Sequence, residues 1–399
     1  MGRRILLTGA SIAGNALAWW LLREGNHVVV VERAPAFRDG GQNVDVRGAA
    51  RTVLKRMGLE QAVDALGTGE KGVAFVDEAG EVFAEFDLES LGDDGPTAEL
   101  EILRGDLARL FYDACRGRAE YRFGDSIAAV ESAGDAAHVT FRSGREEAFD
   151  LVVVAEGVGS DTRDLVFPGE NDPRWLDVLM GYFTIPKGAG DGDVARWYNA
   201  PGGRSVFLRP DQKGTTRAVL TRQGPTDGEQ DLEPDEQKRF LMEEFAGAGW
   251  ETDRVLAGLE ASDDFYFDVL RQVRMPRWSR ERVVLLGDAA WCVTPLGGAG
   301  ATLAIVGAYV LAGELSRNGD HAAAFATYEA VLRPFVDRVQ DVPKFGPRMA
   351  QPHSRWGVAF QRTVLGIVAR PGIRQVVKPL FSSSADEFEL PEYAVTPGA

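Results

Sequence analysis

A chain of 399 residues with 45% hydrophobic residues can bury a large core, and its length leaves room for two or three domains. Its 44 basic against 60 acidic residues give a net charge of −16 and no evident basic stripe, which argues against nucleic acid and stable membrane association. Two cysteines, four scattered histidines and no apolar run of about 18 residues argue against a disulfide framework, a metal centre and a membrane span, so a soluble cytoplasmic protein is expected.

Arg4-Ile-Leu-Leu-Thr8 reads as a buried strand, and Asn15 to Arg23 as a helix. Between them lies Gly9-Ala-Ser-Ile-Ala-Gly14, and a second strand, His27–Val31, ends at Glu32-Arg33. This strand–helix–strand context gives the glycines a purpose. Gly9 permits a tight turn and Gly14 a close approach of helix and strand, so a pyrophosphate can rest on the helix amino terminus. Glu32 stands where a dinucleotide fingerprint has its ribose-binding acid. Ser11 replaces the middle glycine, adding a hydroxyl that can donate to phosphate and a Cβ that narrows the approach.

From Gly72 to Leu100, and again from about Arg174 to Phe267, the periodicity turns to two, which predicts antiparallel strands of a second sheet. Pro234-Asp-Glu opens a helical stretch reaching about Gly249. Two further buried strands end in an acid and small residues. Asp150–Ala155 runs into Glu156-Gly157 and on to Ser160 and Arg163; Arg282–Leu286 runs into Gly287-Asp288, then Pro295, Gly298 and Gly300. Ala301 to Ala312 reads as a helix, with helical spacing to about Phe345 and again from Trp356 to Ala369. Ser382 to Ala399 reads as a tail. One long cofactor lying across the carboxyl ends of an open sheet would account for all three acid-and-glycine strand ends.

Together these segments resemble the class A FAD-dependent monooxygenases, the family of para-hydroxybenzoate hydroxylase and the tetracycline-modifying monooxygenases. The resemblance implies an α/β fold with a discontinuous, Rossmann-like (GR2-type) FAD-binding domain at 1–72, 101–173 and 268–344. An inserted antiparallel-sheet substrate domain would occupy 73–100 and 174–267, and a linking helix and tail 345–399. FAD contacts are implied for Gly9, Ser11, Gly14, Glu32 and Arg33, and for Asp45 in the loop Gly40-Gly-Gln-Asn-Val-Asp45. They are also implied for Arg104 in Glu101-Ile-Leu-Arg-Gly-Asp-Leu107, and for Gly157, Asp288, Pro295, Gly298 and Gly300. Asp288 would accept hydrogen bonds from ribityl hydroxyls, and the bare backbone at Gly298 and Gly300 would face the flavin. Arg38 and Glu156 are candidates for NAD(P)H. Arg196 and Phe207 are candidates for substrate, with Arg209, Tyr182 and Trp197 behind them. No side chain is assigned as a catalytic group, because the flavin carries the chemistry. The chain departs from the family pattern at Ser11 and at Glu156, where aspartate is usual. It departs again at Trp291, where histidine is common, and at Thr302 and Gly307, where asparagine and aspartate are frequent.

The implied reaction starts with reduction of FAD by NAD(P)H and capture of O2 as a C4a-hydroperoxide. One oxygen atom then passes to a small aromatic, polycyclic or polyketide-like substrate by hydroxylation, epoxidation or Baeyer–Villiger insertion. A monomer or homodimer is expected. The alternative is an FAD-fold protein without oxygenase activity, such as a flavin halogenase, a prenyl reductase or a binding scaffold. Gly181-Tyr-Phe-Thr-Ile-Pro186 shares only the end of the halogenase segment.

Overall fold

The structure, a computed structural model, describes residues 2–87, 100–295, 298–341, 346–370, 372–373 and 388–393. Valine- and leucine-rich runs build a parallel sheet in the order Val283–Leu285, Leu151–Val154, Arg4–Thr8, His27–Glu32, Glu120–Phe123, with Ser279–Arg280 antiparallel at one edge. Its central strands are buried on both faces, as parallel strands covered by helices must be. The helix Ile12–Arg23 packs on Gly300–Arg317, which is buried along most of its length and also meets Ala49–Met57 and His321–Gln340. Ile12–Arg23 begins three residues earlier than its periodicity suggested, because Ser11 already takes the extended N-cap conformation. The helical spacing after Ala301 is broken at Asn318–Asp320, where the Asp320 carboxylate accepts from the Ala322 N–H (3.0 Å) and starts a new helix. Inserted in this domain is a three-stranded antiparallel meander, Ile127–Ala133, Ala136–Phe141 and Glu146–Phe149, that pattern reading passed over.

The second sheet has seven strands in the order Tyr266–Gln272, Arg174–Pro186, Thr215–Gln223, Arg204–Pro210, Ala195–Ala200, Gly72–Val76, Val82–Asp87. It is not wholly antiparallel. Ala195–Ala200 lies parallel to Gly72–Val76, which a separation of more than a hundred residues in sequence permits. Residues 88–99 of the expected strand region lie outside the described residues. One face of this sheet, with Leu179, Phe183, Val206, Leu208 and Leu220, is covered by the helices Pro234–Phe245 and Thr252–Ala261. The opposite face turns toward the first domain, joined to it by Arg209, which pairs with Glu70 (2.9 Å) and with Glu101.

The C-terminal part divides in two. The helix Arg355–Val368 packs on the edge of the second sheet through Leu365 and Val368 against Phe75, Phe83 and Phe86. Residues 388–393, expected as tail, return to the first domain. Tyr393 donates to the buried Glu314 carboxylate (2.8 Å), Tyr309 to the Pro391 carbonyl (2.9 Å) and Arg317 to the Glu392 carbonyl (2.8 Å). Phe388 stacks on Phe335 with ring centroids 4.9 Å apart. Tyr393→Phe should therefore destabilise the protein by about 1–3 kcal/mol, because it removes a donor from a buried carboxylate oxygen. Thermal melts of the variant and wild type check this; an unchanged midpoint would mean that the strap adds nothing.

Candidate active site

The strands ending at Thr8, Val154 and Leu285 are neighbours in the sheet, so their carboxyl ends converge. Gly9 is where they press together. Its φ is +100°, and a Cβ there would collide with the Ala155 carbonyl; at Gly14 a Cβ would collide with the Gly9 carbonyl. Both positions therefore demand glycine, and the loop hugs the sheet end, its Gly9 N–H donating to the Val31 carbonyl (2.8 Å), with the amino end of the first helix beyond it. Ser11 departs from the glycine pattern at no such cost, because its φ is −106°. Its hydroxyl accepts from Arg104 Nη2 (2.7 Å), which holds a guanidinium over the amino end of the first helix. Arg104 is itself latched in place. Its N–H donates to the Gln42 carbonyl (2.9 Å), and Asn43–Asp45 pairs antiparallel with Glu101–Leu103. The structure thus brings together the Gly9 loop, the Gly40 loop and Arg104.

Glu32 accepts from the N–H groups of Ala10 (3.0 Å) and Ala34 (2.9 Å), so its carboxylate sits at the mouth of the glycine loop with lone pairs to spare for ribose hydroxyls. Asp45 pairs with the buried Arg47 (2.9 Å), whose own N–H donates to Thr302 Oγ1 (3.1 Å). Arg33 and Arg38 lie exposed on the surface. Glu156 is committed within the protein. It accepts from Thr8 Oγ1, Ser160 Oγ (2.7 Å), Thr162 Oγ1 (2.6 Å) and the Thr162 N–H (3.0 Å), buckling the strand end to the short helix Asp161–Val166. A carboxylate serving four donors is a structural anchor first.

Asp288 opens the short helix Asp288–Trp291 just past the strand Val283–Leu285. It stays open to solvent while walled by protein; burial pushes its carboxyl above the usual range, and Arg104 pulls the other way. The loop beyond it fits a flavin on three counts. Thr294 holds a φ of +67°, a strained setting for a β-branched residue, and its buried hydroxyl has no partner among the described residues. The side-chain amide of Asn43, on the loop packed against Arg104, is also buried without a partner among the described residues. A Cβ at Gly298 or Gly300 would meet nothing within 4 Å, so the space before them is open. Pro295 shapes the turn by accepting from the Gly298 N–H (3.0 Å). These are the donors, acceptors and room that a polar-edged planar ring requires.

Two departures from the family pattern compensate one another. A Cβ at Gly307 would come within 3.0 Å of the Trp291 ring, so the tryptophan occupies space that the glycine leaves. Trp291 packs at a tilt against Trp278 (centroids 4.4 Å, planes 49° apart) beside Tyr328.

The second sheet comes near Asp288 through Tyr266 and Asp268, whose groups feel its charge. Cross-strand register puts Tyr266, Tyr182, Val219, Phe207, Trp197 and Phe75 in one row on the face away from the helices Pro234–Phe245 and Thr252–Ala261. Phe207 contacts Trp197 (4.8 Å between centroids), which stacks on Phe75 (5.7 Å). Arg209 shares this face, lying 5.2 Å over the Phe207 ring. Arg196 does not. It pairs in register with Leu208 on the helix-covered face, so the expected substrate contact is corrected: one strand cannot present Arg196 and Trp197 on the same side. Pattern reading missed Tyr266 and Asp268. Asp268 follows Tyr266 by two residues on the cleft side and pairs with Met180 across the sheet. Burial pushes its carboxyl up to about 6; Arg271 opposes the rise, and Asp288, near enough to be felt, adds to it. The available signal was an acid at an inward position of the alternating run Tyr266–Gln272.

The glycines give a test of where the cofactor lies. Gly300→Val should weaken FAD binding by tenfold or more with little change in the melting of FAD-free protein, since nothing native crowds the position. Gly307→Val should do the reverse, destabilising by about 1–3 kcal/mol through its clash with Trp291. FAD titrations alongside melts decide it; equal loss of affinity in both variants would remove the loop from the flavin site.

Comparison with known proteins agrees with the geometry. The family described as FAD binding domain matches residues 4–342. The FAD-dependent monooxygenase asL4 of Sarocladium schorii is 35% identical over 420 aligned positions, covering 98% of each chain. A flavin-dependent monooxygenase of Legionella longbeachae is 38% identical over 353 positions, 86% of this chain and 87% of its own. Among solved structures, tetracycline destructase Tet(55) aligns with a TM-score of 0.83 and 31% identity, covering 98% of this chain and 99% of its own. Klebsiella pneumoniae HpxO complexed with FAD and uric acid shares the fold, with a TM-score of 0.77 and 22% identity over 95% of this chain and 96% of its own. With matches spanning both domains, the chain belongs to the FAD binding domain family and is an FAD-dependent monooxygenase.

Proposed function

We propose that the enzyme transfers one oxygen atom from O2 to a flat aromatic or polycyclic molecule bearing a phenol or enol. The observation that carries this reading is the aromatic row Tyr266, Tyr182, Phe207 and Trp197, on the same sheet face as Asp268, whose carboxyl feels the charge of Asp288. When bound, FAD reduced by NAD(P)H supplies the oxygen-transfer chemistry. The chain's own residues bind, orient and exclude water. When FAD is bound, Arg104 and the amino end of the first helix would hold the pyrophosphate, Glu32 the adenosine ribose and Asp288 the ribityl hydroxyls, and Thr294 and Asn43 would offer hydrogen bonds to the flavin ring. The aromatic row stacks on the substrate and keeps water from it. Asp268 accepts the proton of the substrate hydroxyl at its carboxylate, which makes the ring more electron-rich at the moment of attack. Arg196 has no part in this arrangement, and Phe207 remains the substrate contact.

The test is 18O2 incorporation by the FAD-loaded enzyme. Phenolic polycyclic compounds should accelerate NAD(P)H oxidation and appear with one labelled oxygen, whereas without substrate the oxidation should be slow or yield H2O2. Labelling only of non-aromatic ketones would overturn the substrate reading.

Asp268 gives a pH prediction. Its folded pKa lies above the unfolded value of 3.8, so its contribution to stability is full below that value and lost as pH rises through about 6. Asp268→Asn removes this loss, and FAD-free variant should melt above wild type at about pH 7 and lie closer to it at acid pH. Turnover of a phenolic substrate should fall roughly a hundredfold, and its acid limb should disappear. Wild-type turnover and pH profile in the variant would exclude the proton-accepting role.

A further inference from the structure

The helix Arg355–Val368 leaves an apolar stripe uncovered. Trp356 is 87% exposed and Phe360 72%, and Val364 and Ile367 continue the stripe at helical spacing. Met349 (67% exposed) lies just before the helix. Its opposite side is already used, with Leu365, Val368 and Ala369 packed on the second sheet. The helix therefore has two apolar sides, and only one has a partner among the described residues. Such a stripe is unusual on a protein surface, and large aromatic residues on it are more so.

Charge indicates what covers it. The chain as a whole has a net charge of −16, yet residues 342–385 contain seven lysines and arginines and no aspartate or glutamate. Within the described part, Arg348, Arg355 and Arg370 are exposed. Arg355 immediately precedes Trp356 at the start of the helix, and Arg370 follows its C-cap, Ala369, so an exposed arginine stands at each end of the stripe. Arg362, between them in sequence, reaches to Asp77 (2.9 Å) of the second sheet. The overall acidity thus hides a local basic region, which corrects the expectation from net charge. Trp and Phe on a stripe with an arginine at each end match the interfacial zone of a bilayer, where rings lie at headgroup depth and arginines meet anionic headgroups.

We propose that this helix docks the enzyme reversibly on an anionic lipid surface, with Trp356 and Phe360 inserted and Arg355 and Arg370 on the headgroups. No described helix is long and apolar enough to cross a membrane, so the contact is interfacial. The helix is joined to the cleft-side face of the second sheet, where Asn199 donates to Gln361 (2.7 Å) and Gln351 to Ser205 (3.0 Å). Docking there brings the substrate sheet close to the lipid, where apolar aromatic compounds concentrate. The proposal does not depend on the identity of the substrate.

The experiment is vesicle co-sedimentation of the FAD-loaded, full-length enzyme. Vesicles of phosphatidylcholine with phosphatidylglycerol should bind it, with release by high salt, and pure phosphatidylcholine should bind it at least about tenfold more weakly. Trp356→Asp/Phe360→Asp should abolish binding, and Arg355→Glu/Arg370→Glu should weaken it roughly tenfold or more on anionic vesicles. Both variants change exposed residues, so FAD content and melting temperature verify that they fold. Failure of wild-type enzyme to bind anionic vesicles at low salt overturns the proposal, as does binding that the Trp356/Phe360 variant retains. Sedimentation velocity supplies the third arm: a wild-type dimer that the Trp356/Phe360 variant loses would assign the stripe to a second copy of the chain and likewise overturn it.

Discussion

Everything at the cofactor end of this enzyme depends on how closely the backbone at Gly9 lies against Ala155. Contact at that distance admits no side chain, and it draws two neighbouring strand ends into one rim. The third strand end, at Leu285, follows from the same parallel ladder. Once the rim exists, the first helix points its amino terminus across it, and an anion can be held without any charged side chain in the loop. Arg104 then adds charge from outside the loop, positioned by Ser11 rather than by sequence proximity. Segments nearly three hundred residues apart are thereby brought to one sheet end.

The departures from the family pattern gain meaning as pairs. Ser11 is tolerated because Arg104 uses its hydroxyl, and Trp291 because Gly307 leaves it room. Glu156 reaches one methylene farther than aspartate and spends its length on Thr8, Ser160 and Thr162. None of these changes touches the open space before Gly298 and Gly300. The fold around that space is kept while its supports are exchanged.

Much of the first domain was legible in the sequence, because buried parallel strands leave continuous apolar runs and glycine loops mark their ends. The second sheet was legible as alternation, but alternation does not say which side is which. Arg196 and Phe207 were grouped as substrate contacts although they lie on opposite faces, and only the helices Pro234–Phe245 and Thr252–Ala261 decide which face is covered. Asp268 was overlooked for the same reason: an acid in a strand is ordinary until its face is known to line a cleft. The basic stretch near the C-terminus was masked by averaging charge over the whole chain. Residues 388–393 read as tail because their partners, Glu314 and Tyr309, lie far back in sequence.

The strand order has a further consequence, for the history of each molecule rather than its resting state. Leu151–Val154 is flanked by Arg4–Thr8 on one side and Val283–Leu285 on the other. During synthesis the second flank arrives only after the whole substrate domain has emerged. Until then Val152, Val153 and Val154 present an apolar parallel edge with unpaired backbone groups, a template for other chains. The nascent chain thus carries an open sheet edge while the second sheet is being made, and Val283–Leu285 closes it on arrival.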